Sequence, residues 1–157
     1  MPNITIVVDG AAHNNPGVVG YAYVLYLNDK PYRAEAKIYG FGTNNEAEYQ
    51  GILASLAEVQ TVSSNKKLWS TISSIEIKSD SKLAIEQLKG NYRIKEDRLK
   101  TYARDINSMI KLIEKPVMLT WTSATQIAHD ILESLYEIPA LQESEETNAS
   151  QENNNSR

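Results

Sequence analysis

The sequence predicts a single α/β domain: a five-stranded mixed sheet flanked by helices, with the element order βββαβααβα. Three observations carry that expectation. The first 40 residues hold three runs rich in β-branched and aromatic residues separated by turn formers, the pattern of an antiparallel meander. From Asn45 onward, stretches with apolar residues at three- and four-residue steps alternate with two further short apolar runs, as expected for helices packed on a sheet. A chain of 157 residues is also long enough for one hydrophobic core.

The elements follow in order. Residues 4–8 (ITIVV) are almost wholly β-branched, and residues 20–27 (GYAYVLYL) alternate tyrosines with aliphatics, so both read as strands around a turn at Asn15, Pro16 and Gly17. In residues 32–40, Tyr32, Ala34, Ala36 and Ile38 alternate with Arg33, Glu35 and Lys37, which gives a third strand. From Asn45 to Val59, the residues Ala47, Tyr49, Ile52, Leu53, Leu56 and Val59 form the apolar stripe of an amphipathic helix behind a Thr-Asn-Asn cap. After a polar connection, 75–80 (IEIKSD) reads as a buried strand and 81–90 as a short helix closed by Gly90. Leu99, Tyr102, Ile106, Ile110 and Ile113 define a longer helix over 95–113, stopped by Pro116. A strand over 116–122 and a helix over 127–138 complete the domain, whose boundary is set at residue 140. Residues 141–157, rich in Glu, Ser, Asn and Gln, have almost nothing to bury and are expected to be a disordered acidic tail.

The net charge of −4 argues against a protein that holds a polyanion through bulk positive charge. Residues 142–157 alone carry four Glu against one Arg, so the domain itself is near neutral and a nucleic-acid partner is neither announced nor excluded. The absence of Cys removes disulfides and thiolate metal sites. No stretch approaches the roughly 20 apolar residues of a membrane span, and no charged region precedes the first apolar run. A cytoplasmic monomer with no small-molecule cofactor and no membrane contact is expected.

Three acids fall at the ends of elements: Asp9 after the first strand, Glu48 in the first turn of the first helix, and Asp80 at the end of the fourth strand. Taken singly, each has an ordinary explanation as a turn, helix-dipole or capping residue. If strands one and four lie side by side, however, Asp9 and Asp80 finish at one sheet edge. Clustered carboxylates with few positive neighbours repel unless hard cations bridge them, and an oxygen donor set suits Mg²⁺ or Mn²⁺. Two such ions about 4 Å apart could activate water and stabilise a leaving oxygen in phosphodiester cleavage.

In this order and spacing, DGAAHNNPG followed by GYAYVL, then TNNEAEYQGILASL, then IKSDSKLAIEQLKGNY resemble the type 1 ribonuclease H family, in particular its compact archaeal-like branch. The resemblance covers roughly residues 4–138. It implies the ribonuclease H-like fold, two divalent ions (Mg²⁺ or Mn²⁺) held by Asp9, Glu48 and Asp80, and an RNA·DNA hybrid as partner. It also implies that Asn15, Asn44 and Asn45 touch the hybrid's minor groove, where an amide can both donate to and accept from a 2′-hydroxyl. The glycines and asparagines behind Asp9 would then let a nucleic-acid backbone approach closely.

The family's fourth acid lies on the last helix in a pattern close to N-x-x-A-D-x-L-A-x-x-A, where this chain has WTSATQIAHDILESL. Placing His129 at that position puts Ala128, Ile131, Leu132 and Leu135 on the buried stripe. Placing Asp130 there drives His129 and Glu133 into the core, so the first register is physically better. His129 and Asp130 both remain candidate catalytic residues. Imidazole can bind Mn²⁺ or shuttle protons but is a poor Mg²⁺ ligand, so a weakened or Mn²⁺-leaning enzyme is one expectation. His13 reads as a solvated turn residue and Trp121 as a core residue, with Trp69 in a loop. The basic stretch Lys89, Arg93, Lys95, Arg98, Lys100 and Arg104 is either a solvated helix face or a track for DNA phosphates.

The leading expectation is a metal-dependent endonuclease that cuts the RNA strand of RNA·DNA hybrids. The alternative is a catalytically weakened or inactive ribonuclease H-like nucleic-acid-binding domain, which metal titration separates from the first. A nuclease of the same fold acting on another substrate is disfavoured by the TNN amides.

Overall fold

A computed structural model describes residues 3–137 of the chain. The expected domain boundary at 140, the expected tail at 141–157 and the expected end of the last helix at 138 lie outside the described residues. Within them the chain runs β1 (Asn3–His13), β2 (Gly17–Leu27), β3 (Lys30–Gly42), α1 (Asn44–Ser63), α2 (Lys66–Ser70), β4 (Ser74–Ser79), α3 (Lys82–Leu88), α4 (Asp97–Leu112), β5 (Val117–Trp121) and α5 (Gln126–Tyr136).

The strands form one sheet in the order β3-β2-β1-β4-β5. β1, β2 and β3 are the antiparallel meander, and β1–β4 and β4–β5 are parallel pairs, so the sheet is mixed as expected. Central β1 is buried on both faces, which explains its unbroken apolar run. On one face Ile4, Ile6 and Val8 join Tyr49, Ile52 and Leu56 of α1, Ile85 of α3, and Leu99 and Ile106 of α4 in the main core. On the other, Val7 and Ala22 meet Ala128, Leu132 and Tyr136 of α5 in a smaller cluster.

The meander strands run further than the apolar runs that announced them. β1 and β2 stay paired from Ile4–Leu27 to His13–Val18, because backbone pairing continues through the polar and small residues after Asp9. Asn28 and Asp29 make the β2–β3 turn at φ of 51° and 67°, the left-handed region that these two residue types tolerate.

Three expectations are corrected. The connection after α1 contains a helix, α2, so Trp69 is helical; Asn65 caps it by accepting the Leu68 N–H at 3.1 Å. A five-residue helix has no apolar period to detect. Trp121 is not core: it closes β5 half exposed, with its indole N–H donating to the Asp80 carbonyl at 3.1 Å. His13 is no solvated turn residue; it ends β1 stacked on the Tyr136 ring, centroids 3.5 Å apart, with Nε2 3.6 Å from Glu133.

Candidate active site

The site is built where the β1–β4 pairing ends. Their parallel register sets Val8 opposite Ser79, the last residue of β4, so Asp9, which stays in the sheet opposite Ala22 of β2, and Asp80, the first residue past β4, lie at one level. Glu48 arrives from above on α1. Thr43 caps that helix, its hydroxyl accepting the Glu46 N–H at 3.2 Å. The close approach of α1 depends on Gly10: a Cβ there would lie 2.4 Å from the Ala47 carbonyl carbon and 2.6 Å from the Glu48 nitrogen. The glycine behind Asp9 therefore serves the approach of a helix, a correction to the expectation that it admits a nucleic-acid backbone.

With α1 seated, Glu48 is fixed at both oxygens. Oε1 accepts the Gly10 N–H at 3.1 Å and Oε2 accepts the Ser79 hydroxyl at 3.0 Å. Carboxylate oxygens of Asp9, Glu48 and Asp80 all lie within 4.8 Å of one another. Asp9 and Glu48 are buried and Asp80 is exposed, so the cluster is sunk in the protein on one side and open to solvent on the other. Burial raises the Glu48 pKa well above the ordinary range, and the charges of Asp9 and Asp80 raise it further. Asp9 is raised too, first by burial and then by Asp80, against the lowering effect of its His129 hydrogen bond. Among the described residues, His129 is the only potentially cationic partner of these acids, its Nδ1 lying 3.1 Å from Asp9 Oδ2.

This donor set fits hard divalent cations. Among the described residues three carboxylates converge with no Lys or Arg paired to them, and a bound cation would lower the electrostatic cost that the raised pKa values express.

α5 presents Ala128, Leu132 and Tyr136 inward, with Ile131 and Leu135 of the expected stripe only half-buried, and His129 lies on the side of Asp9. Asp130 is not brought to the cluster. It is exposed, and its Oδ1 accepts a 2.7 Å hydrogen bond from Gln126 one turn earlier.

Two of the three asparagines, Asn15 and Asn44, are tied together where the β1–β2 turn meets the start of α1. Asn44 Oδ1 accepts the Ala12 N–H at 2.7 Å, and its own N–H donates to Asn15 Oδ1 at 3.1 Å. These bonds occupy amide oxygens and locate the β1–β2 turn against the start of α1. Asn45 lines a pocket with Gln87, Arg93, Lys95 and Leu99. Of the basic stretch, Arg98 pairs with buried Glu46 at 3.3 Å and Lys100 with Asp97 at 3.5 Å, so these two have structural partners.

Over residues 1–138 the sequence matches the RNase H family. The chain belongs to the RNase H family. It is 36% identical over 104 residues to the bifunctional protein Rv2228c of Mycobacterium tuberculosis and to an uncharacterized protein, Mb2253c, of Mycobacterium bovis. Those matches take in 64% of this chain but only 26% of either relative, so this RNase H chain spans about a quarter of their length. Among solved structures it resembles the N-terminal RNase H domain of Rv2228c, fused to maltose binding protein, with a TM-score of 0.75 at 21% identity, covering 95% of this chain and 99% of that one. LC11-RNase H1, isolated from compost by a metagenomic approach, gives a TM-score of 0.77 at 24% identity, with coverage of 85% and 95%. RNase H1 of the halophilic archaeon Halobacterium salinarum gives 0.71 at 24% identity, covering 83% and 93%. LC11-RNase H1 has also been solved in complex with an RNA/DNA hybrid, and that structure gives 0.76 at 24% identity, covering 84% and 95%.

One contributor to this acid cluster, Ser79, is not among the residues that the sequence singles out. It follows Ile75 and Ile77 at period two, so a hydroxyl on a buried strand face is the signal that could have found it.

Proposed function

We propose that this RNase H chain is a metal-dependent endonuclease that hydrolyses the RNA strand of RNA·DNA hybrids. The observation that carries the reading is the convergence of Asp9, Glu48 and Asp80 within 4.8 Å at an edge open to solvent. Mg²⁺ or Mn²⁺ bound there would supply Lewis-acid activation of water and charge stabilisation of the leaving oxygen. Glu48, anchored by Gly10 and Ser79, sets the depth of the site. Asp9 and Asp80 supply its two sides, and His129 beside Asp9 takes the fourth position, where its imidazole can hold or pass a proton. Asn15, Asn44 and Asn45 lie at the same end as these acids and would meet the 2′-hydroxyl-bearing strand with their amide N–H groups. The hybrid-bound structure of LC11-RNase H1, a fold neighbour, supports the choice of substrate.

The test is cleavage of an end-labelled RNA·DNA hybrid beside matched RNA and DNA duplexes, in Mg²⁺ and separately in Mn²⁺. RNA-strand products from the hybrid alone, abolished by EDTA, are expected. Equal cleavage of the DNA duplex would remove the substrate assignment. Hybrid binding without any cleavage in either metal would favour the second reading, a binding domain, for which the imidazole in place of a fourth carboxylate is the specific observation.

A further inference from the structure

The acid cluster and the basic segment between α3 and α4 belong to different parts of the chain, and two side-chain ties hold them together. One starts at Tyr49, the residue after Glu48 on α1. Tyr49 is fully buried, and its hydroxyl donates to Gln87 Oε1 of α3 at 2.7 Å. That bond fixes which way the Gln87 amide faces, and Gln87 Nε2 in turn donates to the Arg93 carbonyl at 3.3 Å. The other tie is Glu46 to Arg98 at 3.3 Å, across the starts of α1 and α4. Between them residues 91–96 carry almost no apolar anchor, only half-buried Ile94. Arg93 and Lys95 are exposed and share a pocket of about 270 Å³ with Asn45 and Gln87.

Resting on the proposed function, we propose that Tyr49 and Gln87 are positioning residues which fix the 91–96 segment so that Arg93 and Lys95 meet the hybrid's phosphates in register with the acid cluster. Helix α1 then acts as the ruler. Glu48 projects to the acids, and the next residue reaches through Gln87 to the backbone that carries the two cations. Tyr49 is fully buried and the Gln87 amide is engaged by the Tyr49 hydroxyl and the Arg93 carbonyl, so both act through the backbone of the segment. Their contribution is to keep the distance between phosphate contacts and scissile bond constant, so that binding energy is realised in the productive register.

The experiment compares Tyr49→Phe, Gln87→Met and the double variant with the full-length wild type, measuring hybrid KM and kcat, the salt dependence of hybrid binding, and the thermal midpoint. Tyr49→Phe removes one hydroxyl and leaves the ring in the core. Each single variant should raise KM about three- to tenfold, the range of one lost hydrogen bond, with kcat and the thermal midpoint nearly unchanged. The slope of log affinity against log salt should become shallower by about one to two, as phosphate contacts are lost. The double variant should be no worse than either single one, because both cut the same relay. Unchanged KM and salt slope would overturn the proposal, as would additive losses, or a fall in kcat that tracks a fall in thermal midpoint. Failure of the wild type itself to bind the hybrid would overturn the proposed function and this inference together, whereas a normal wild type with indifferent variants overturns this inference alone.

Discussion

At the scale of single residues, the proposed chemistry rests on groups whose cost to the fold is visible. Glu48 is buried, accepts hydrogen bonds at both oxygens, and is pushed toward its neutral form by burial and by two neighbouring carboxylates. Asp9→Asn or Asp80→Asn should therefore lower Mg²⁺-supported cleavage by about a hundredfold or more, while the metal-free protein keeps or slightly gains thermal stability as repulsion is relieved. Thermal denaturation in EDTA beside an activity assay checks both halves. The fourth position gives a sharper contrast. His129 faces Asp9 and Asp130 faces Gln126, so His129→Asp should raise Mg²⁺-supported cleavage and lower the Mn²⁺/Mg²⁺ activity ratio, whereas Asp130→Asn should change neither. Loss of activity in Asp130→Asn with a harmless His129→Ala would place the fourth ligand one residue on.

At the scale of elements, the site depends on how closely α1 rides over β1, and that distance is set by Gly10 more than by any acid. Gly10→Ala would force its Cβ to within 2.4 Å of the Ala47 carbonyl carbon. The helix must lift or tilt, at a cost of about 1–3 kcal/mol, and Glu48 leaves Ser79 and the Gly10 N–H with it. A lowered thermal midpoint together with weakened Mn²⁺ binding by calorimetry is the expected outcome. A lowered midpoint with intact metal binding would show that the cluster tolerates helix displacement. Elements with a strong period are legible in the amino-acid sequence: the apolar run of β1, the stripe Leu99, Ile106 of α4, and the Ala128, Leu132 stripe that turns His129 toward Asp9. What escapes does so for physical reasons. α2 is too short for a period, Trp121 is large and apolar yet serves its N–H, and His13 gains its partner only when α5 folds back to bring Tyr136 against it. The acids can be named from the chain, and period two puts Ser79 on the buried face of its strand, but that Gly10 is what lets α1 close over β1 belongs to packing that sequence spacing does not encode.

At the scale of the whole molecule, three segments far apart in the chain meet at one open edge, because β1 and β4 are parallel neighbours and α1 and α5 cover opposite faces. Among the described residues no helix is long and apolar enough to cross a membrane. The described fold closes with Tyr136, whose hydroxyl lies 2.7 Å from the Val18 carbonyl and 3.1 Å from that of Ala11. Truncation after Leu141 should accordingly leave the thermal midpoint nearly unchanged, which circular dichroism melting would check. Whether this acid cluster, loaded with a divalent ion, cuts the RNA strand of a hybrid is decided by following RNA-strand cleavage of one labelled hybrid by the wild type and by Asp80→Asn, each in Mg²⁺, in Mn²⁺ and in EDTA. RNA-strand products are expected from the wild type in at least one metal, none in EDTA, and fewer by about a hundredfold or more from Asp80→Asn; cleavage by Asp80→Asn at the wild-type rate, or cleavage that persists in EDTA, would rule out a metal site built on these acids.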